Sequence, residues 1–81
     1  MLKSINKFII NNEYSINIWK NYIEINNFTD VILLEDNEVI IEIDKKIIKI
    51  KGKEIYIKKL VDKEILLSGD FETINLGEKN V

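Results

Sequence analysis

From Tyr14 onward the chain alternates apolar and polar residues with a period of two, and most of the apolar residues are isoleucine. This alternation is typical of strands with one buried face, because successive side chains of a strand point to opposite sides. Isoleucine and valine also favour strands, since their branched side chains pack well on a pleated surface. We predict strands over Ser15–Trp19, Tyr22–Ile25, Val31–Leu34, Val39–Ile43, Ile47–Lys51, Glu54–Lys59, Ile65–Ser68 and Phe71–Leu76.

Turn residues between these strands predict three sequential hairpins, at Asp36-Asn37, Lys45-Lys46 and Gly52-Lys53. Each turn brings apolar residues opposite one another on the same face, and this shared face sets the register. Gly52 is therefore a predicted turn, and we expect Gly69 to form a bend or bulge between strands. The predicted fold class is mostly β, an antiparallel β-meander curled into a small sandwich or roll.

The N-terminal segment, residues 1–13, shows a different pattern from the single β domain predicted over residues 14–81. Its apolar residues recur at the three- and four-residue spacing of one helical face. We therefore predict a short N-terminal helix that ends at Asn11-Asn12. The residues on the apolar face are Met1, Leu2, Ile5, Phe8 and Ile9.

No membrane-spanning or secretory segment is expected from the sequence. The apolar patch Phe8-Ile9-Ile10 is shorter than the roughly 7–15 apolar residues of a signal peptide. No stretch approaches the roughly 18–20 apolar residues of a transmembrane helix. We therefore expect a cytoplasmic protein without a transmembrane segment.

The residue types that carry most enzyme chemistry are missing from this chain, which has no Cys, His or Arg. Disulfides are therefore excluded, and serine has no histidine to activate it. The commonest metal ligand is also absent. The carboxylates lie at predicted turns or opposite lysines, which is typical of solvated surface charge. We predict a protein that is not an enzyme, with no catalytic residue, no metal site and no cofactor.

Apolar residues also fall on the predicted outward face of the sheet, at Tyr22, Leu33, Ile40 and Ile47. One interpretation is a curled sheet that buries both faces. The other is a surface for a protein partner or a second copy, because monomers rarely leave a contiguous apolar patch exposed. If a turn centres on Asn27-Phe28, the first three of these residues form a row across three strands. A chain of 81 residues buries only a small core, so we expect a homo-oligomer or a complex.

The run KIIKIKGKEIYIKKLVDKEILLSGDFETINL, Lys46 to Leu76, resembles the YabP/YqfC family of bacterial sporulation proteins. The family pattern is a hydrophobic strand, a glycine turn, a short acidic loop and two further strands. The upstream stretch Asn21 to Ile43 is similar to the family's preceding strand and turn, so the resemblance spans about Tyr14 to Leu76. The chain departs from the pattern at YSINIWKN, which contains no proline or glycine. The matching positions are Ile50, Gly52, Ile55, Ile57, Leu60, Glu64, Leu67, Gly69, Phe71 and Ile74.

The resemblance implies a non-enzymatic protein made during spore formation. Members of the YqfC type are associated with a larger membrane-linked partner of the YqfD type, and the YabP type is linked with spore-coat or cortex formation alongside the membrane protein YabQ. The leading hypothesis is therefore a sporulation-associated interaction or assembly module, peripheral to a membrane through its partner.

Two alternatives remain open at this point. One is a self-assembling β scaffold joined through strand edges or the second apolar face. The other is a small nucleic-acid-binding β-barrel, suggested by the lysine-rich region Lys45–Lys63 and by aromatic residues that could stack on bases. We rank nucleic acid last, because the chain carries a net charge of −2 and has no Arg.

Overall fold

The computed structural model describes the backbone of residues 6–11 and all of residues 14–79. These residues form one antiparallel sheet of seven strands in the order β1-β2-β3-β7-β6-β5-β4, with no helix in the described part of the chain. The prediction of a mostly β fold is confirmed. The strands are β1 (Asn6–Asn11), β2 (Tyr14–Ile18), β3 (Tyr22–Asn26), β4 (Asp30–Leu34), β5 (Glu38–Ile43), β6 (Lys46–Val61) and β7 (Glu64–Glu78).

The predicted N-terminal helix is wrong for the described residues of that segment. Residues 6–11 form β1, which pairs antiparallel with β2 and places Phe8 opposite Ile16. The run Phe8-Ile9-Ile10 is aromatic and β-branched, so it favours a strand once the edge of β2 offers unpaired backbone groups. The rest of the predicted helix, residues 1–5 and 12, lies outside the described residues.

The strands form two meanders, β1-β2-β3 and β4-β5-β6-β7, which are joined by pairing between β3 and β7. The connection from β3 to β4 therefore crosses from the middle of the sheet to its edge. Tyr22 lies opposite Ser68 of β7. The predicted pairing of Tyr22 with Leu33 is wrong, because alternation along a strand does not determine which strand is its neighbour.

Strands β6 and β7 are too long to be straight in this molecule. Sixteen residues of extended chain span about 50 Å at roughly 3.3 Å per residue, whereas the longest dimension of the described chain is 30 Å. The ladder between the two strands shifts register after Lys51 and again after Lys53, which marks a bend. Bulges of this kind bend a strand and increase its twist.

The bend divides the sheet into two arms. The first arm contains β1, β2, β3, residues 64–68 of β7 and residues 56–61 of β6. The second arm contains β4, β5, residues 46–51 of β6 and residues 73–78 of β7. The arms share the two long strands, so the whole sheet is continuous.

The inward faces of the two arms form a single hydrophobic core. Ile23 and Ile25 of the first arm and Val39 and Ile41 of the second are completely buried. A single layer cannot hide side chains from water in this way, so the arms cover one another, as the predicted sandwich or roll requires. The buried cluster consists of Tyr14, Ile16, Ile23, Ile25, Phe28, Val39, Ile41, Ile43, Ile48, Ile50, Ile55, Ile65 and Leu67.

Two of the three predicted hairpins form between the predicted strands. The turn at Asp36-Asn37 is confirmed and pairs Leu34 with Val39. The second turn lies at Asp44-Lys45, one residue earlier than predicted, and pairs Ile43 with Lys46. Both turn residues have positive φ, 45° and 69°, as a two-residue type I′ turn requires. The predicted register shifts by two residues, so the inward face is unchanged.

The third predicted hairpin, at Gly52-Lys53, is wrong. Strand β6 continues through these residues, and Ile50 lies opposite Ile74 of β7. The inward face does change from even-numbered Ile50 to odd-numbered Ile55, but a bulge changes it just as a hairpin would. The chain reverses at Asp62-Lys63 instead.

Gly52 and Gly69 allow the two long strands to approach closely at the bend. A Cβ atom on Gly52 would lie 2.2 Å from the carbonyl oxygen of Asp70, and one on Gly69 would lie 2.9 Å from the Cα atom of Ile55. The backbone N–H of each glycine also donates a hydrogen bond to a neighbouring turn. The Gly52 N–H donates to the Asn37 carbonyl (3.1 Å), and the Gly69 N–H donates to the Asn21 carbonyl (3.2 Å). The bend therefore requires glycine at both positions.

Candidate interaction surfaces

The residues predicted to form an interaction surface, Tyr22, Leu33, Ile40 and Ile47, are all half-buried in the structure. Each lies on the outward face of its strand, because the residues next to it along the strand, or its cross-strand partner, show which face points to the core. Tyr22 lies on the first arm, and the other three lie on the second arm. The structure therefore separates the predicted surface into two outer faces.

On the second arm, Leu33 lies directly opposite Ile40 across the β4–β5 ladder. Ile47 lies opposite Glu42, diagonal to Ile40. Ile47 also lines a depression of about 350 Å³ together with Lys49, Leu76 and three other residues of β7. This face mixes apolar and charged groups, so its apolar area is divided rather than contiguous.

On the first arm, Tyr22 lines a depression of about 280 Å³ with Trp19, Glu24, Lys58 and Leu66. The two-residue turn between β2 and β3 positions the indole, and the backbone N–H of Trp19 donates to the Tyr22 carbonyl (2.8 Å). The Lys58 ammonium lies 5.1 Å from the centre of the Tyr22 ring, within the range of a cation–π contact. The depression therefore joins two aromatic rings, an aliphatic side chain and one charge of each sign.

The indole N–H of Trp19 is buried and has no hydrogen-bond partner among the described residues. Leaving a buried donor unpaired costs about 1–3 kcal/mol, and most buried donors in native proteins are paired. The nitrogen is closed off from solvent in this structure, so an external acceptor cannot reach it without movement of the indole. The outward position of Tyr22 follows from the alternation in the sequence. The unpaired indole N–H of Trp19 could not be predicted, because it depends on how the β2–β3 turn packs.

Six exposed apolar side chains lie at open edges of the sheet, which the sequence analysis did not predict. Each lies on a strand segment that is paired on one side only: β4, the 56–61 segment of β6, or the 73–78 segment of β7. Such edges offer unpaired backbone groups to another strand. The exposed residues are Ile32, Leu34, Tyr56, Leu60, Val61 and Leu76.

The described residues contain no group of three or more acidic, cysteine or histidine side chains that could hold a metal ion. Among the same residues, no helix is long and apolar enough to cross a membrane. Comparison with protein families, with curated proteins and with solved structures finds no match for this chain.

Proposed function

We propose that this chain is a non-enzymatic interaction module that binds a protein partner through the depression on the first arm. The observation that carries the proposal is the depression itself, in which the rings of Trp19 and Tyr22 and the side chain of Leu66 meet on an outer face. Tryptophan and tyrosine side chains supply a large share of binding energy at protein interfaces. The occupant would be an apolar side chain of the partner that packs against the two rings.

The biological setting of the proposal rests on the resemblance to the YabP/YqfC sporulation proteins. That resemblance supports a role during spore formation with a membrane-linked partner, and a location that is cytoplasmic but peripheral to a membrane. Two of the residues that line the depression, Lys58 and Leu66, belong to the Lys46–Leu76 run that carries the resemblance. Trp19 lies in the stretch YSINIWKN, where the chain departs from the family pattern.

The test is the distribution of the tagged full chain in a sporulating bacterium, before and during spore formation. The wild-type chain is expected to sediment with membranes only during sporulation. Trp19→Phe replaces the indole with a smaller ring, and Tyr22→Lys removes the second ring of the depression. Both changes reduce the aromatic surface offered to the partner and are expected to release the chain from the membrane fraction. Leu33→Lys, which changes a half-buried residue on the other arm, is the matched control and is expected to remain bound.

Two results would contradict the proposal. One is a wild-type chain that stays in the soluble fraction throughout spore formation. The other is equal membrane binding by the wild type, Trp19→Phe and Tyr22→Lys. Retention of Trp19→Phe with loss of Leu33→Lys would assign the partner surface to the second arm instead.

A further inference from the structure

Strand β4 and residues 56–61 of β6 run side by side in opposite directions, and hydrogen bonds join them just beyond both ends. At one end the backbone N–H of Phe28 donates to the carbonyl oxygen of Lys63 (3.2 Å). At the other end the N–H of Ile55 donates to the carbonyl oxygen of Asp36 (2.8 Å). A single antiparallel register contains both bonds, so the two edges already face each other within one chain.

Between these two bonds the edges do not pair. Among the residues that the structure describes, β4 pairs only with β5, and residues 56–61 pair only with β7. We call the space between these two unpaired edges the seam. Because the seam is bonded at both ends, only the short stretch between the bonds is left open.

On the β4 side of the seam, apolar side chains belong to the inward face of the sheet. Leu34 lies opposite Val39, which is completely buried. Val31 lies opposite Ile41, which is also completely buried. Directly opposite residues of a ladder share a face, so both β4 residues point inward. Leu34 is nevertheless 45% exposed, because nothing covers it from the side of the seam.

The β6 side of the seam repeats this arrangement. Ile57 lies opposite Leu67, which is completely buried. Leu60 lies opposite the buried Ile65. Both β6 residues therefore point inward as well, yet Leu60 is 51% exposed. Each edge leaves an inward leucine uncovered.

The register of the two end bonds brings these inward residues together. It places Leu34 across from Ile57, and it places Val31 across from Leu60. Apolar residues of the inward face therefore meet apolar residues of the inward face at both levels. The shared face is what specifies register between strands when one face is buried.

A bulge interrupts each edge at the same level of the seam. Ile32 is the extra residue in the ladder of β4 with β5, and Lys58 is the extra residue in the ladder of β6 with β7. An extra residue moves the inward face of its strand from even-numbered to odd-numbered positions or the reverse. Because both edges change at one level, their inward residues still match on either side of the bulges. Each bulge also bends its own strand, which accounts for the opening in the middle of the seam.

The charges along the seam are opposite. Asp30 and Glu35 belong to β4 and the turn after it, whereas Lys59 and Lys63 belong to β6 and the turn after it. The register places Asp30 diagonally between the two lysines, within reach of their long side chains. Pairing of the two edges therefore brings opposite charges together.

We propose that the seam closes within one chain, so that β4 and residues 56–61 of β6 pair as antiparallel strands in the register of the two end bonds. Closure costs little loop entropy, because both ends are already joined. It covers Leu34 and Leu60, and it removes two edges that would otherwise pair with another strand. The open and closed forms differ in whether the fold offers these edges to another chain. This inference does not rest on the proposed function, since it concerns pairing within the chain alone.

Introduced cysteines test the closed register, since the chain has no cysteine of its own. Leu34→Cys with Ile57→Cys places two thiols directly across the closed seam, where Cα atoms lie about 5.5 Å apart and a disulfide fits. Leu34→Cys with Leu60→Cys is the matched control, because three residues out of register add roughly 10 Å along the strand. In a glutathione buffer at low protein concentration, the first pair is expected to form an intrachain disulfide at least about tenfold faster than the control.

Circular dichroism checks that each cysteine variant keeps its β spectrum. Equal rates for the two pairs would overturn the proposal. So would a first pair that forms no intrachain disulfide while the chain is folded.

Hydrogen exchange of the wild-type chain gives a second test that needs no substitution. The amide of Leu34 points to the seam, because the N–H of Glu35 donates to the start of β5 (2.9 Å) and successive amides alternate. The amide of Leu76 is the control. The N–H of Lys79 donates to the β5–β6 turn (3.0 Å), so the Leu76 amide points by the same alternation to the open edge of β7. Leu34 is expected to exchange at least about tenfold more slowly than Leu76, and equal exchange at the two amides would overturn the closed form.

Discussion

The backbone N–H of Ile55 donates a 2.8 Å hydrogen bond to the carbonyl oxygen of Asp36, which attaches the β4–β5 turn to the bend of β6. The N–H of Gly52 donates to Asn37 of the same turn. Both bonds depend on the close approach of β6 and β7 at Gly52 and Gly69. The bend therefore holds the β4–β5 turn against β6, and its glycines are the first residues to test.

Gly52→Ala is expected to destabilise the fold strongly, because its Cβ would lie 2.2 Å from the Asp70 carbonyl oxygen. Backbone atoms cannot move aside cheaply, so we expect a loss of about 2–3 kcal/mol or more in the free energy of unfolding. Gly77→Ala is the matched control, since nothing lies within 4 Å of its Cβ position. Urea unfolding of both variants measures the difference, and equal stabilities would contradict the close approach.

Lys45→Gly is expected to stabilise the β5–β6 hairpin. Lys45 has a φ of 69°, in the left-handed region that glycine adopts at no steric cost. Relief of this strain, less the greater freedom of glycine in the unfolded chain, is expected to add about 0.5–1 kcal/mol to the free energy of unfolding. Lys46→Gly, in the adjoining strand, is expected to lower the free energy of unfolding instead. A thermal unfolding midpoint that falls for Lys45→Gly would argue against the turn at Asp44-Lys45.

Removal of core volume should separate the inward from the outward isoleucines. Ile50→Ala deletes part of a completely buried side chain and is expected to cost about 2–5 kcal/mol, which is enough to unfold a domain this small. Ile32→Ala, at a residue that is 47% exposed, is expected to cost less than about 1 kcal/mol in the monomer. Chemical unfolding at low protein concentration compares the two. Similar losses would place Ile32 in the core and contradict its exposure at the edge of the sheet.

The hydrogen bond from the Tyr14 hydroxyl to Asp44 Oδ2 (2.8 Å) joins β2 of the first arm to the β5–β6 turn of the second. Tyr14→Phe removes the donor while the ring stays in the core, and we expect a loss of about 1–2 kcal/mol. Asp44→Gly removes the acceptor, tolerates the positive φ of this turn position and serves as the second change in a double-mutant cycle. Coupling near zero between the two changes would show that the arms do not depend on this bond.

The period-two pattern was sufficient to predict the β fold and most of the inward residues, because burial repeats at every second position of a strand. It did not predict the irregularity in β4 that pairs Val31 with Ile41 and leaves Ile32 exposed. It was not sufficient to place Tyr22 beside Leu33, since partner choice depends on the whole sheet and β7 displaced β4 as the neighbour of β3. The sequence predicts a hairpin at Gly52 for a similar reason. A bulge and a two-residue turn both move the inward face from even-numbered to odd-numbered residues, so the pattern cannot distinguish them. The N-terminal pattern fitted a helix, but β2 offered its edge to residues 6–11.

The candidate surfaces were only partly predictable. The outward positions of Tyr22, Leu33, Ile40 and Ile47 followed from alternation, whereas their division between two arms did not. The open edges of β4 and of residues 56–61 could not be predicted from the sequence, because they depend on which strands pair in the folded sheet.

The most direct test of the account is the fraction of the tagged chain that sediments with membranes during spore formation, measured for the wild type and for Trp19→Phe. We expect most of the wild type in the membrane fraction and most of Trp19→Phe in the soluble fraction. Equal fractions for the two chains would contradict a partner surface at the depression that contains Trp19 and Tyr22.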